Sequence, residues 1–416
     1  MLIKHKACAC HRRDFLRAGM YGVGISSGLP WLFQQLSMVQ TAQAFAGAVE
    51  KHPNRILVVL ELSGGNDGLN TIVPYTNDDY YKSRPTLSVK PGEVLKLTDE
   101  YGLHPSCIGL ERQFKDGQMA IVHGCGYPNP NLSHFTAMEW WHTATPHGSD
   151  PYGWLGRFAD AYQPDPIENY IVNIASQQSM AVNSAKHSPV VFQDPKKFGR
   201  VGNEAQQKVF ETFGKVYPTS NTSLDFVNGV SKTATSGAAM VRNACAEYRT
   251  LIDYGSDNDL TLDLKKVIGM ISADLPTRIY YVSQGGYDTH AAQANSQQLL
   301  LTYLSDAVNG FFVDLQRIGR ADDVAMMVFT EFGRRVGENA SKGTDHGTAT
   351  PMYILGKGVQ GGFYGSHPSL TDLDNGNLKM TTDFRTVYGT MLEEWMGFGD
   401  NAAILKGEYP SLDVFG

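Results

Sequence analysis

Apolar side chains in this chain gather into short unbroken runs, each closed by glycine and polar residues. Residues 55–62 (Arg-Ile-Leu-Val-Val-Leu-Glu-Leu) form one run, and the lack of alternation suits a strand covered on both faces. It ends in Ser63-Gly64-Gly65-Asn66-Asp67-Gly68, a turn that sets polar groups at the carboxyl end of the strand. The pattern then predicts a helix near 105–116, a strand at 119–123, a helix starting at Ser133 and a strand over Asn169–Ile174. Further on come a strand at 277–283, a long helix over about 292–318, strands at Val324–Thr330 and Pro351–Leu355, and a last helix over about 383–397. Strand, polar turn and helix in repetition describe an α/β fold with a largely parallel sheet.

The section 200–273 breaks that rhythm. It is polar, mostly helical in pattern and carries a Ser/Thr-rich stretch at 217–236, so it reads as a helical insertion or cap.

The amino end has a different logic. Lys4, Lys6, Arg12, Arg13 and Arg17 stand against the single acid Asp14, and no charge follows from Tyr21 to Gly47. A basic segment before a modestly apolar one is the layout of a secretory leader. Arg12-Arg13-Asp14-Phe15-Leu16-Arg17 closely resembles the twin-arginine export consensus, which implies the twin-arginine translocase as a partner during export. Gly22, Gly24, Gly28 and Pro30 dilute the apolar stretch, so no permanent membrane anchor is expected, since a spanning helix needs about 20 mostly apolar residues. Ala42, Ala44 and Ala46 offer a cleavage site, giving a leader at 1–46 and one domain at 47–416 that works in the periplasm or outside the cell.

Beyond residue 20 the chain holds thirty basic and forty-one acidic groups, a net charge of −11. Such a surface excludes nucleic acid as the expected partner, because phosphate backbones call for a basic face. Cys107, Cys125 and Cys245 remain after cleavage and allow at most one disulfide, for which proximity in the chain favours Cys107–Cys125. That is no disulfide framework.

In open α/β sheets ligands collect at the carboxyl ends of strands. The polar turns there and at helix starts contain Asp67, Ser133, Asp288, His290, Glu331 and His346. Carboxylates and imidazoles in this mixture suit zinc or another borderline divalent ion, in one site or in two. A hydroxyl at a helix amino end adds a dipole that favours an anion. Arg334 and Arg335 are candidates to clamp an anionic substrate. His134 and His142 read as packing or hydrogen-bonding residues on a helix, and Trp140-Trp141 as core.

Asn66-Asp67-Gly68, Ser133-His134-Phe135, Tyr287-Asp288-Thr289-His290, Thr330-Glu331-Phe332-Gly333-Arg334 and Asp345-His346-Gly347 occur in the order typical of one bacterial family. The chain from about 55 to 400 resembles the exported family called domain of unknown function 1501, within the alkaline-phosphatase-like superfamily. The resemblance implies a three-layer sandwich and an exported metal-dependent hydrolase or transferase acting on a small phosphate or sulfate ester. It implies Ser133 as nucleophile, zinc at Asp288, His290 and His346, and a harder ion such as magnesium, manganese or calcium at Asp67 and Glu331. Two departures oppose it. Phe332 stands where the superfamily usually has a metal histidine, and Asp288 and His290 are closer in sequence than the usual pair. The alternative is a non-catalytic exported binding or assembly protein that kept the fold.

Overall fold

The computed structural model of the chain describes residues 52, 54–198 and 236–416. The expected leader at 1–46 and most of the Ser/Thr-rich stretch therefore lie outside the described residues.

Among the described residues, nine strands build the central sheet. They are β1 (Ile56–Leu62), β2 (Met119–Gly126), β3 (Ile171–Ile174), β4 (Val190–Phe192), β5 (Ile279–Gln284), β6 (Val324–Phe329), β7 (Thr350–Gly356), β8 (Gly362–Tyr364) and β9 (Thr382–Asp383). Their order is β8-β2-β7-β6-β1-β5-β3-β4, and β9 also pairs with β2. β1 lies at the centre, parallel to β5 (Leu57 opposite Ile279) and to β6 (Ile56 opposite Val324). β7 alone runs against both of its neighbours, β2 and β6. The amino end of β7 therefore shares an edge with the carboxyl ends of β1, β2, β5 and β6.

β1 is buried along its whole length because both faces of the sheet are covered. Ile56, Val58, Leu60 and Leu62 enter the core on one face, while Leu57 and Val59 enter the core on the other. Helices α1 (Ile108–Lys115), α4 (Asp259–Ser272) and α5 (Gln293–Arg317) cover the first face. Helices α2 (His134–Thr143), α3 (Trp154–Tyr162) and α6 (Phe384–Thr390) cover the second, and α6 runs on into a π-type turn at Met391–Trp395. The result is the expected α/β three-layer sandwich with a mostly parallel central sheet.

Two expectations change in detail. The polar section from 200 does end in helix, but α4 packs as part of the sandwich, with Leu264, Val267, Ile268 and Ile271 in the core. Cys107 and Cys125 are both buried and both free. Cys107 belongs to the core on one face of the sheet and Cys125 to the core on the other, so the sheet stands between the two thiols. Burial pushes both thiols well above their ordinary range. Among the described residues no helix is long and apolar enough to cross a membrane.

Candidate metal centre

Two segments deliver donor atoms to one point beyond the carboxyl edge of the sheet. The loop after β5 carries Asp288 and His290, and the segment before the reversed strand β7 carries His346. Asp288 Oδ1 lies 3.0 Å from His290 Nε2 and 3.1 Å from His346 Nε2, and the two Nε2 atoms are 2.9 Å apart. The other nitrogen of His346, Nδ1, is 2.8 Å from the carbonyl of Leu132. With that N–H donated to the carbonyl, the ring presents a lone pair at Nε2, the tautomer a metal ligand needs. Lone pairs converging at such distances repel unless protons or a cation lie between them. The donor set thus fits a divalent ion.

The loop conformation that places Asp288 depends on glycine. Gly64 has φ +116°, and a Cβ there would stand 2.6 Å from the backbone nitrogen of Asp288. Arg334 finishes the positioning. Its buried guanidinium donates to the carbonyls of Gly64, Gly65, Tyr287 and Thr344, and places Nη2 2.8 Å from Asp288 Oδ1. Partial burial works against the charge of Asp288, but the hydrogen bonds from Arg334 and His346 and the positive charge of Arg334 outweigh it. They hold the carboxyl down at about 2. Arg334 is therefore occupied by the protein itself. The substrate clamp expected from its sequence position is not what this geometry provides.

Glu331 is also committed, and not beside Asp67. Its carboxylate accepts from the backbone N–H groups of Gly64 and Gly65 and from Thr330 Oγ1. His134 Nδ1 lies 2.7 Å from its Oε1. That hydrogen bond first, with the Glu331 and Asp288 charges behind it, raises the His134 imidazole above its ordinary value despite partial burial. His134 Nε2 in turn is 3.4 Å from Asp288 Oδ2. Ligand atoms of His134, Asp288 and His346 all lie within 4.8 Å of one another, so His134 joins the cluster and is more than the packing or hydrogen-bonding residue its helical position suggests. Phe332 packs its ring 4.9 Å from that of His134 and 4.6 Å from that of His346, whose own rings meet edge to face at 4.5 Å.

Asp67 takes no part. It is buried, caps the short helical turn Gly68–Thr71, and forms an ion pair with Arg84 Nη1 at 2.5 Å, with Gln293 also donating to it. The hard-ion site expected at Asp67 and Glu331 is not assembled, because each carboxylate is satisfied by separate protein donors. Ser133 stands at the amino end of α2 as expected, but its side chain makes no capping hydrogen bond and is exposed.

A cavity of about 530 Å³ opens beside the cluster. His134, Asp288 and Glu331 line it, and so do Phe135, Met138, Glu139, Glu61 and His142. Glu61, on β1, and His142, on α2, meet at 3.0 Å through His142 Nε2. The Tyr281 hydroxyl donates to the same Glu61 oxygen and lies 2.9 Å from His142 Nε2. Burial alone would raise the Glu61 carboxyl, but hydrogen bonds from His142, Tyr281 and Ser63 leave it lowered. Burial and the Glu61 charge push the Tyr281 phenol well above its ordinary value, so it stays a proton donor.

The family model described as "Protein of unknown function (DUF1501)" matches residues 54–406. The chain belongs to the DUF1501 family. All the motifs that build the centre fall inside the matched DUF1501 segment. No curated protein matches the chain. Among solved structures this DUF1501 chain is similar to a protein in the alkaline phosphatase superfamily from Vibrio parahaemolyticus, at 11% identity and TM-score 0.41. That match covers 85% of this chain and 69% of the other. It is also similar to the lipoteichoic acid synthase LtaP from Listeria monocytogenes, at 8% identity and TM-score 0.37, over 89% and 80% of the two chains. A third likeness is to the PsFucS1 sulfatase from Pseudoalteromonas sp., at 11% identity and TM-score 0.37, over 91% and 73%.

Proposed function

We propose that this chain is an exported metal-dependent hydrolase or transferase for a phosphate or sulfate ester, with one ion held by Asp288, His290 and His346. The observation that carries the reading is the mutual approach of those three donor atoms to 2.9–3.1 Å. Two imidazoles and one carboxylate suit zinc or a similar borderline ion. When bound, such an ion would supply Lewis-acid polarisation of an ester oxygen.

The protein's own groups divide the remaining work. Arg334 fixes Asp288, and Glu331 fixes His134 beside it. Ser133 offers a hydroxyl free of capping duty at a helix amino end, where the dipole favours an anionic group. As nucleophile, its Oγ would bond to phosphorus or sulfur while the alcohol leaves with the hydroxyl proton, and water would later restore the serine.

One observation favours the non-catalytic alternative: Ser133 is not among the residues lining the cavity. Turnover of p-nitrophenyl phosphate and p-nitrophenyl sulfate, with zinc or manganese supplied, separates the two. Activity lost in both His346→Ala and Ser133→Ala supports the full reading, and activity lost only in His346→Ala makes water the nucleophile. A metal-loaded protein that turns over neither ester leaves the binding-protein reading. The export part rests on Arg12 and Arg13. Replacing both with Lys should leave the protein in the cytoplasm.

A further inference from the structure

The cavity has a second polar end that the metal reading does not use. Glu61, His142 and Tyr281 are each more than nine-tenths buried, yet Glu61 and His142 line the cavity wall. A buried carboxylate inside an apolar strand is costly unless hydrogen-bonded, and here both donors converge on one oxygen. Their arrangement fixes the imidazole. His142 Nε2 faces Glu61 and Tyr281, so in the neutral ring the proton sits on Nε2 and Nδ1 keeps a lone pair. Among the described residues Nδ1 has no hydrogen-bond partner. One ring nitrogen is thus held by a buried carboxylate, and the other is left for whatever enters the cavity.

We infer that Glu61, His142 and Tyr281 form a second binding site in this cavity, where His142 Nδ1 accepts a hydrogen bond from a hydroxyl on the organic part of the ligand. The inference rests on the proposed ester chemistry only for the ligand's anionic end. The surroundings fit a hydroxyl-bearing group better than a second anion: Glu139, Glu61, Asp288 and Glu331 line the same space and would repel one. Met138, Met180 and Phe135 supply apolar contact for carbon between the polar groups. His142 would touch the ligand, and Glu61 and Tyr281 are positioning residues that hold its tautomer.

The experiment is a nitrogen NMR titration of the full mature chain labelled at histidine, with the His142 signals assigned by their loss in His142→Gln. Two probes of one skeleton are added: glycerol 2-phosphate, which carries two hydroxyls, and isopropyl phosphate, which carries none. The expected result is a shift of His142 Nδ1 with glycerol 2-phosphate alone, and several-fold tighter binding of that probe, as one hydrogen bond of about 1 kcal/mol implies. Tyr281→Phe keeps the ring and the packing but loosens the tautomer, so the preference should shrink while the fold is retained. The inference is overturned if His142 Nδ1 is silent to glycerol 2-phosphate, or if both esters bind alike. The signals of His134 and His346 report the other end separately. If they stay unmoved by both esters while His142 responds, the anion site fails and the hydroxyl site stands.

Discussion

Asp288 Oδ1 and Arg334 Nη2 lie 2.8 Å apart, and the guanidinium has no exposed side-chain surface. The arginine that stands in a motif like a substrate clamp is instead the bracket that joins the β1 turn, the Asp288 loop and Thr344. A lysine offers a point charge in place of the planar fork and cannot reach all those carbonyls. Arg334→Lys is expected to weaken metal affinity by about 10–100-fold, as loss of a partner behind a ligand does, and to lower stability as well. Metal titration of the folded variant checks this, and an unchanged affinity would show that Asp288 does not depend on the bracket.

Gly64 makes the same point through the backbone. At φ +116°, with the Asp288 nitrogen 2.6 Å from where a Cβ would be, any side chain must displace the loop. Gly64→Ala is expected to cost roughly 1–3 kcal/mol and to reduce metal binding more than its loss of stability accounts for. Denaturant unfolding and metal titration on one sample separate the two effects.

Asp67 gives the opposite expectation. Its removal leaves Arg84 charged, buried and unpaired, so Asp67→Ala should destabilise by about 3–5 kcal/mol. Metal stoichiometry in the fraction that stays folded should not change. Loss of one equivalent from well-folded Asp67→Ala protein would restore the two-ion reading that the sequence suggested.

Acid should weaken the fold through one half-buried and one buried histidine, His104 and His123, that are not in the centre. Burial holds His104 down at about 4, and burial together with the nearby His367 holds His123 down at about 3. Below about pH 6.5 the unfolded chain takes protons on these rings and the folded chain does not. Their contribution is therefore complete above that pH and declines as pH falls towards 4 and 3, by up to about 1.4 kcal/mol per pH unit for each ring. His123→Phe should flatten the acid limb of a stability profile between pH 7 and 5. An unchanged limb would mean that the ring is protonated in the fold.

The strands were legible in the sequence because a sheet covered on both faces needs unbroken apolar runs, and β1, β5, β6 and β7 are such runs. Asp288, His290 and His346 were legible because imidazoles at strand ends have few structural duties. His134 was not, since a histidine one residue after a helix cap looks like any helical residue until Glu331 is folded against it. Glu61 lies inside an apolar run and reads as part of a strand. What His142 and Tyr281 do with it depends on α2 crossing β1 and β5, a relation that no local pattern records. Arg334 misled for a related reason, as its partners come from three segments, two of them distant in the chain. Cys107 and Cys125 looked close along the chain, but chain distance says nothing about which face of a sheet each thiol enters.

The most direct test is elemental analysis of the protein purified from its native host, alongside His290→Ala and His346→Ala. Close to one equivalent of a divalent transition metal per chain is expected, lost in both variants while their folding is retained. A well-folded, metal-free protein that also takes up no zinc or manganese on titration would contradict it.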